Sequence, residues 1–224
     1  KVSFLNYDFY QKVFNRGEVK GVTIIDIDEK SIAQVGQFPW RRDTYSKILE
    51  NLNQHNPRVI AFDIVFSEKD KQNPKDLLSK LQVESDQLIN IDVIDTNKIF
   101  INSIKNSKVI LPILGEPKSN FVKNNSKPKL RLLVKGENPK NFIYKFKNKI
   151  ISLEEISSAA SGIGSISLIP SIDGVIRNVP VLYNIDDKIW PSLALESVRI
   201  ATGQKNLLVK SSKNGIELIK TQKN

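Results

Sequence analysis

The chain has 224 residues, 40% hydrophobic and 26% charged, enough to bury a substantial core and ordinary for a globular protein. Its 34 Lys and Arg against 24 Asp and Glu give a net charge of +10. These bases are mostly Lys scattered among Asn and Ile, with no Arg-rich helix and no aromatic–basic motif, which argues against nucleic acid as a partner. The absence of cysteine excludes disulfides, thiol nucleophiles and Cys-ligated metals.

Residues 1–16 place Phe4, Leu5, Phe9, Val13 and Phe14 at helical spacing, with Gly17 as the stop. An apolar strand at 22–27 (VTIIDI) then runs into Asp26, Asp28 and Glu29. Alternation puts Asp26 and Asp28 on one face, near the carboxyl edge where open α/β sheets place ligands. Residues 31–35 read as a helical turn closed by Gly36. Asp43 reads as an N-cap, and Tyr45, Ile48, Leu49 and Leu52 recur at helical spacing until Pro57 ends the helix. The single histidine, His55, lies at that helix end, where its charge suits the helix C-terminus better than a triad or zinc site. A second strand at 59–66 is apolar on both faces apart from Asp63, the pattern of a buried parallel strand. A carboxylate buried there needs a partner, with Arg41, Arg42 and Arg177 available.

Pro74 opens a helix to about residue 89, a further helical stretch carries Ile99, Phe100, Ser103 and Ile104, and 108–114 (KVILPIL) supplies a third strand. This order predicts an α/β core with right-handed crossovers. Lysines then crowd 118–149 among Asn, Ser, Pro and Gly, predicting an exposed insertion within one domain spanning 1–224. Beyond it, Ser152 caps a short helix to Ser157, and strands at 162–169 and 175–183 flank turn chemistry at 171–174. Pro191 opens a helix closed by Gly203, and 207–210 with 215–220 form a hairpin around Asn214 and Gly215. The expected architecture is a mixed, largely parallel central sheet flanked by helices, with a C-terminal antiparallel portion.

Three constellations stand out. Asp26 and Asp28 suit a hard cation, acid–base chemistry, or simple capping of the turn at Ser31. Phe38–Pro39–Trp40–Arg41–Arg42 suits a lid that clamps an anionic ligand, or a plug in which Trp40 covers the sheet edge and Arg42 pairs with Asp63 or Asp28. Asp173 and Arg177, four apart across Gly174, form a turn-and-salt-bridge device with weak binding character. No nucleophile–base unit, Gly-rich phosphate loop or zinc motif joins them. A non-enzymatic chain without a cofactor is therefore expected, with metal binding left open.

In order, Asp26-Ile-Asp28-Glu-Lys-Ser31, Gly36-Gln-Phe-Pro39-Trp40-Arg-Arg42 with Tyr45, 61–68 (AFDIVFSE), Asp173-Gly-Val-Ile-Arg177 and Trp190-Pro-Ser-Leu-Ala194 resemble the CHASE2 domains. Residues 5–10 (LNYDFY) resemble the family's segment leaving a first membrane span. The chain departs from the family at Arg41, where a second proline is common, and looks longer over 72–95 and after Pro117. The resemblance implies the extracytoplasmic, periplasmic or cell-surface sensor of a bacterial inner- or plasma-membrane receptor. Its partners would be a small-molecule or physical stimulus, flanking transmembrane helices of the same parent chain and, as a candidate, a second copy. Output would pass to a cytoplasmic cyclase, histidine kinase or Ser/Thr kinase. The expected ligand site comprises Asp26, Asp28, Trp40, Arg42 and Asp63, with Asp173 and Arg177. The alternatives are a metal-assisted hydrolase using Asp26, Asp28 and Asp63, and a module that binds envelope polymers through the basic stretch.

Overall fold

A computed structural model describes residues 2–14, 21–80, 93–117 and 125–222, and the chain divides into two units, Lys1–Pro39 and Trp40–Asn224. The first unit holds α1 (Val2–Val13) and α2 (Glu29–Val35). Helix α1 stops at Val13, and Gly17, its expected stop, lies outside the described residues. The strand expected at 22–27 does not form, and Ile24 is 88% exposed. A strand exists only by pairing, and Lys1–Pro39 has no second strand among its described residues. Asp28 therefore begins a helix instead of ending a strand. Gly36 closes that helix at φ 106°, with its N–H on the Ile32 carbonyl, in a region that side chains beyond glycine rarely adopt.

The second unit runs α3 (Arg42–Asn53), β1 (Ile60–Ala61), α4 (Pro74–Lys80), α5 (Thr96–Lys105), β2 (Val109–Glu116), β3 (Arg131–Gly136), β4 (Lys145–Phe146) and β5 (Asn148–Ile151). It continues with α6 (Glu154–Ala159), β6 (Gly162–Ser165), β7 (Leu182–Ile185), β8 (Lys188–Pro191), α7 (Leu193–Ala201), β9 (Asn206–Ser212) and β10 (Gly215–Gln222). Helix α4 is described to Lys80, so the remainder of its expected course lies outside the described residues.

Strand β2 is the axis of the unit. Ile110 pairs with Ala61 on one flank and Gly162 on the other, both parallel, and Ile113 pairs with Ile151 antiparallel and Ser165 parallel. So β1 and β5 share one flank of β2 and β6 takes the other. The expected strand at 59–66 keeps a ladder only at Ile60–Ala61. Further on, the Phe66 N–H donates to Ser152 Oγ and its carbonyl accepts from the Leu153 N–H. Ser152 thus secures the neighbouring chain, and Leu153 holds the cap position of α6. A second sheet has the order β10–β9–β3 and a third β4–β7–β8. Helices with mixed sheets of parallel and antiparallel strands give the expected α/β class.

The Lys-rich stretch is woven into these sheets instead of standing apart: it supplies β3, β4 and β5. Leu130, Leu132 and Ile143 pack on the buried cluster of Leu182, Ile189, Leu207 and Val209. Alternation along a strand sends lysines outward and leucines inward, which a count of charges does not reveal.

The C-terminal hairpin forms as expected, β9 to β10. A second hairpin, β7 to β8, turns on Asp186 (φ 51°) and Asp187 (φ 56°). Asp tolerates this left-handed pair less well than Asn–Gly, the stronger sequence signal. Residues 175–181 join no strand, so β7 begins later than expected. Pro191 ends β8, and Ser192 opens α7 by accepting the Leu195 N–H at 3.1 Å. Helix α7 lies against β6 because Gly164 is bare: a Cβ there would sit 2.6 Å from Leu193 Cα. Among the described residues no helix is long and apolar enough to cross a membrane.

Candidate functional site

Arg42 is the first residue of α3 and is 7% exposed. Its N–H donates to Asp70 Oδ2 at 2.9 Å and its Nη2 to the Glu68 carbonyl at 2.9 Å. The guanidinium carbon lies 4.4 Å from the centre of the Phe66 ring, a cation–π geometry. Burial pulls this guanidinium below its ordinary pKa, opposed by the Asp70 charge. Phe66 packs in turn against Tyr45, Phe62 and Phe100, the closest pair being Phe66 and Phe100 with centroids 4.9 Å apart. Trp40 is buried 6.3 Å from Tyr45. Trp40 and Arg42 are thus brought together as a plug on an aromatic cluster.

Asp70, which the sequence reading did not single out, organises this corner. It is buried and also accepts Thr96 Oγ1 at 2.7 Å and the Gln72 N–H at 3.0 Å. A charged acceptor shared between the amino ends of α3 and α5 satisfies donors that neither helix can satisfy itself. Asn73, equally buried, accepts the Thr96 N–H at 3.1 Å and donates Nδ2 to Asp95 Oδ1 at 3.3 Å. Asp95 caps α5 through the Lys98 N–H and takes Lys75 Nζ at 3.1 Å. Burial works against the Asp95 charge, yet the Lys98 N–H, Lys75 and Asn73 prevail and hold the carboxyl below its usual range.

Asp95 also lines a cleft of about 600 Å³ between α4 and α5, whose walls include Lys75, Leu78, Val93, Lys98 and Ile99. That volume is within the range of small-molecule sites. Hydrogen bonds therefore run without a gap from the cleft through Asp95, Asn73, Thr96 and Asp70 to Arg42. The signal available in the sequence was Asn73 before Pro74, a helix-start pattern.

The remaining expected site residues fall elsewhere. Asp28 Oδ1 caps α2, accepting the Ser31 N–H at 2.9 Å and hydroxyl at 2.7 Å, and the hydroxyl bond lowers its pKa. Asp26 is exposed. Asp63 is also exposed, with no hydrogen bond or ion pair among the described residues, so the expected buried Asp63–Arg pair is not made. The reason is that the ladder ends at Ala61: Phe62 and Phe66 turn inward while Asp63 faces out. Arg41 pairs with Asp43 in the first turn of α3, so Asp43 is clamped by its neighbour and does not cap the helix.

Asp173 and Arg177 do meet, through two parallel bonds of 2.9 and 2.8 Å, with the Arg177 side chain 6% exposed. Asp173 Oδ1 also accepts the Val175 N–H, and Gly174 turns the chain at φ 82°. Arg177 holds the Asp173 carboxyl at about 2, below the roughly 3.9 of an unfolded Asp. A depressed pKa stabilises the fold above the unfolded value, and the effect fades as pH falls toward the folded one. The carboxyl carbon resonance of Asp173 should therefore titrate at about 2, rising toward roughly 3.9 in Arg177→Gln. An unchanged midpoint in that variant would show that Arg177 does not hold the charge.

Among the described residues no three His, Asp or Glu side chains converge where a metal could sit. What the fold and site define is a mixed α/β domain with a cleft linked by hydrogen bonds to the main chain of a buried arginine on an aromatic cluster. The CHASE2 domain family matches residues 2–223, and the chain belongs to that family. CHASE2 domains are extracellular sensor domains of signalling receptors and are not catalytic. No curated protein and no solved structure matches the chain.

Proposed function

We propose that this chain is the extracytoplasmic sensor of a transmembrane receptor, periplasmic or cell-surface, relaying a stimulus to a cytoplasmic cyclase, histidine kinase or Ser/Thr kinase. Family membership over residues 2–223 supports the receptor reading. The observation that carries the sensing site is the hydrogen-bond chain from the cleft to Arg42. A ligand with an anionic group and a short apolar body matches the cleft: Lys75 and Lys98 meet the charge, and Leu78, Val93 and Ile99 meet the body. Drawing Lys75 off Asp95 would loosen the Asn73 and Thr96 bonds and alter the seat of Arg42, a ligand-driven shift between two arrangements. Of the residues expected at a site, Trp40 and Arg42 form the inner end of this relay. Asp26 and Asp63 offer exposed carboxylates, and Asp28, Asp173 and Arg177 serve local turns.

Octanoate is a suitable probe for the cleft. It should raise the thermal midpoint of the chain, and Lys75→Ala with Lys98→Ala should weaken binding by at least about tenfold. No midpoint shift in the wild type, or equal binding by the variant, would remove the cleft as this site. The receptor reading has its own test: if the parent protein keeps the same stimulus response after residues 1–224 are deleted, the chain is not its sensor.

A further inference from the structure

Residues 150–187 form the longest run without lysine in the chain, the next being 48–68. In a protein of net charge +10 this run carries one cation, Arg177, whose guanidinium is buried against Asp173. Within it, residues 166–181 form an arm between β6 and β7. Ile172, Val175, Ile176, Val179 and Val181 are exposed on this arm, Ile172 completely. The arm is nonetheless held in shape. The Ser171 N–H donates to the Val175 carbonyl at 3.0 Å, the Gly174 N–H donates to the Ser171 carbonyl at 2.9 Å, and Asp173 grips Arg177. Ile169, Pro170 and Ser171 share a crevice with Asn178 and Pro180, so the outgoing and returning runs lie side by side.

The returning run, 175–180, is neither helical nor turned, and no main-chain hydrogen bond engages Ile176, Asn178 or Val179 among the described residues. Valine and isoleucine dominate it, the composition of a strand. Exposed strand edges normally carry lysine as protection against pairing, and here that protection is missing. Charge depletion with exposed apolar groups is also how the centre of a protein interface differs from the remaining surface.

We propose that residues 175–181 pair edge to edge, antiparallel, with the same residues of a second copy, forming a two-fold homodimer. The neutral arm selects this occupant. A partner recognised by charge would be met through the lysines, whereas two copies of +10 repel except where both are neutral. A strand paired with itself about a two-fold axis is self-complementary without further design. Centred on Asn178, the pairing matches the N–H groups of Ile176 and Asn178 with the carbonyls of Pro180 and Asn178 in the other copy. Pro180, which lacks a donor, then lies toward the end of the pairing, where proline is tolerated. This inference does not depend on the sensor reading.

The absence of cysteine makes a direct test available. Across an antiparallel ladder, facing residues have Cα atoms roughly 4.5–5.5 Å apart, within disulfide reach. Under mild oxidation, Asn178→Cys in the full chain should give a covalent dimer, while Lys213→Cys in the β9–β10 turn should not. Val179→Lys and Ile176→Lys, each restoring edge protection, should weaken dimerisation at least about tenfold in sedimentation runs, with near-ultraviolet circular dichroism unchanged. A monomer at all concentrations to about 100 µM, equal cross-linking at both cysteines, or a dimer indifferent to both lysines would overturn the proposal. So would a monomer whose binding to phosphatidylglycerol vesicles is lost in Val179→Lys, since the arm would then serve lipid.

Discussion

Glu196→Ala is expected to lower the unfolding free energy by about 3–5 kcal/mol, the usual cost of removing one partner from a buried ion pair. Glu196 and Arg199 lie one turn apart on α7, with side chains 0% and 4% exposed. Arg199 grips the carboxylate at both oxygens, Nε to Oε2 at 2.7 Å and Nη2 to Oε1 at 2.6 Å, and its Nη1 donates to the Gln204 carbonyl at 2.7 Å. The planar fork is satisfied on every side, so removing the carboxylate strands a charge that cannot reach water. Solvent cannot refill the space readily, because Gly162 of β6 packs so tightly that a Cβ there would lie 2.5 Å from Glu196 Oε1. Nearby, Lys129 donates Nζ to the Ser158 and Ala160 carbonyls at the end of α6, and burial lowers its pKa. A buried and a half-buried cation thus sit where α6 and α7 meet the lysine-rich stretch. Domains of this kind have only about 5–15 kcal/mol in hand, so the variant should be close to unfolding at 37 °C. Urea denaturation measures the loss. The double variant Glu196→Leu with Arg199→Met should recover most of it, since well-packed apolar replacements of buried pairs are often neutral. A loss below about 1 kcal/mol for Glu196→Ala would mean the pair is solvated as surface pairs are.

That pair shows where sequence stops being informative. Glu and Arg three apart on a helix read as an exposed pair, and only the packing of α7 on β6 buries them. Local signals were legible wherever the structure is local: α5 and α7, the β9–β10 hairpin, and the Asp173–Arg177 turn all follow from spacing, caps and turn residues. Residues 22–27 have the composition of a strand but no partner, since pairing is not a property of the segment. Asp63 looked buried because its neighbours are apolar, yet its strand is paired for only two residues. In the candidate site, Trp40 and Arg42 were readable as a unit because they are only two residues apart. Asp70, Asn73 and Asp95 were not, because Arg42 to Asp70 spans 28 residues, Thr96 to Asp70 spans 26 and Lys75 to Asp95 spans 20. Hydrophilic residues between helices are common, and nothing local marks which of them end up buried and shared.

Asp70→Ala is the second large effect, about 2–6 kcal/mol, because the buried Arg42 N–H and Thr96 hydroxyl would both lose their acceptor, each at roughly 1–3 kcal/mol. The milder Asp70→Asn is the more telling variant. Its amide keeps one acceptor oxygen for donors now shared between two, namely the Arg42 N–H and Thr96 Oγ1 on Oδ2 and the Gln72 N–H on Oδ1. One donor must then face an NH₂ group, at a cost of roughly 1–3 kcal/mol. Thr96→Val should cost about 1 kcal/mol on the same scale. If the two residues act as one device, the double variant should lose less than the sum of the singles, with a coupling of about 0.5–3 kcal/mol. Thr96→Val also separates a relay from a mere fastening. In a Trp190→Phe background, Trp40 is the remaining tryptophan, and octanoate binding in the cleft should change its emission. Thr96→Val should leave octanoate affinity within a few-fold while abolishing that emission change, because the cleft lysines are intact and the hydroxyl that links Thr96 to Asp70 is gone. Emission that still responds fully would mean the hydrogen-bond chain holds the helices together without carrying a signal between them.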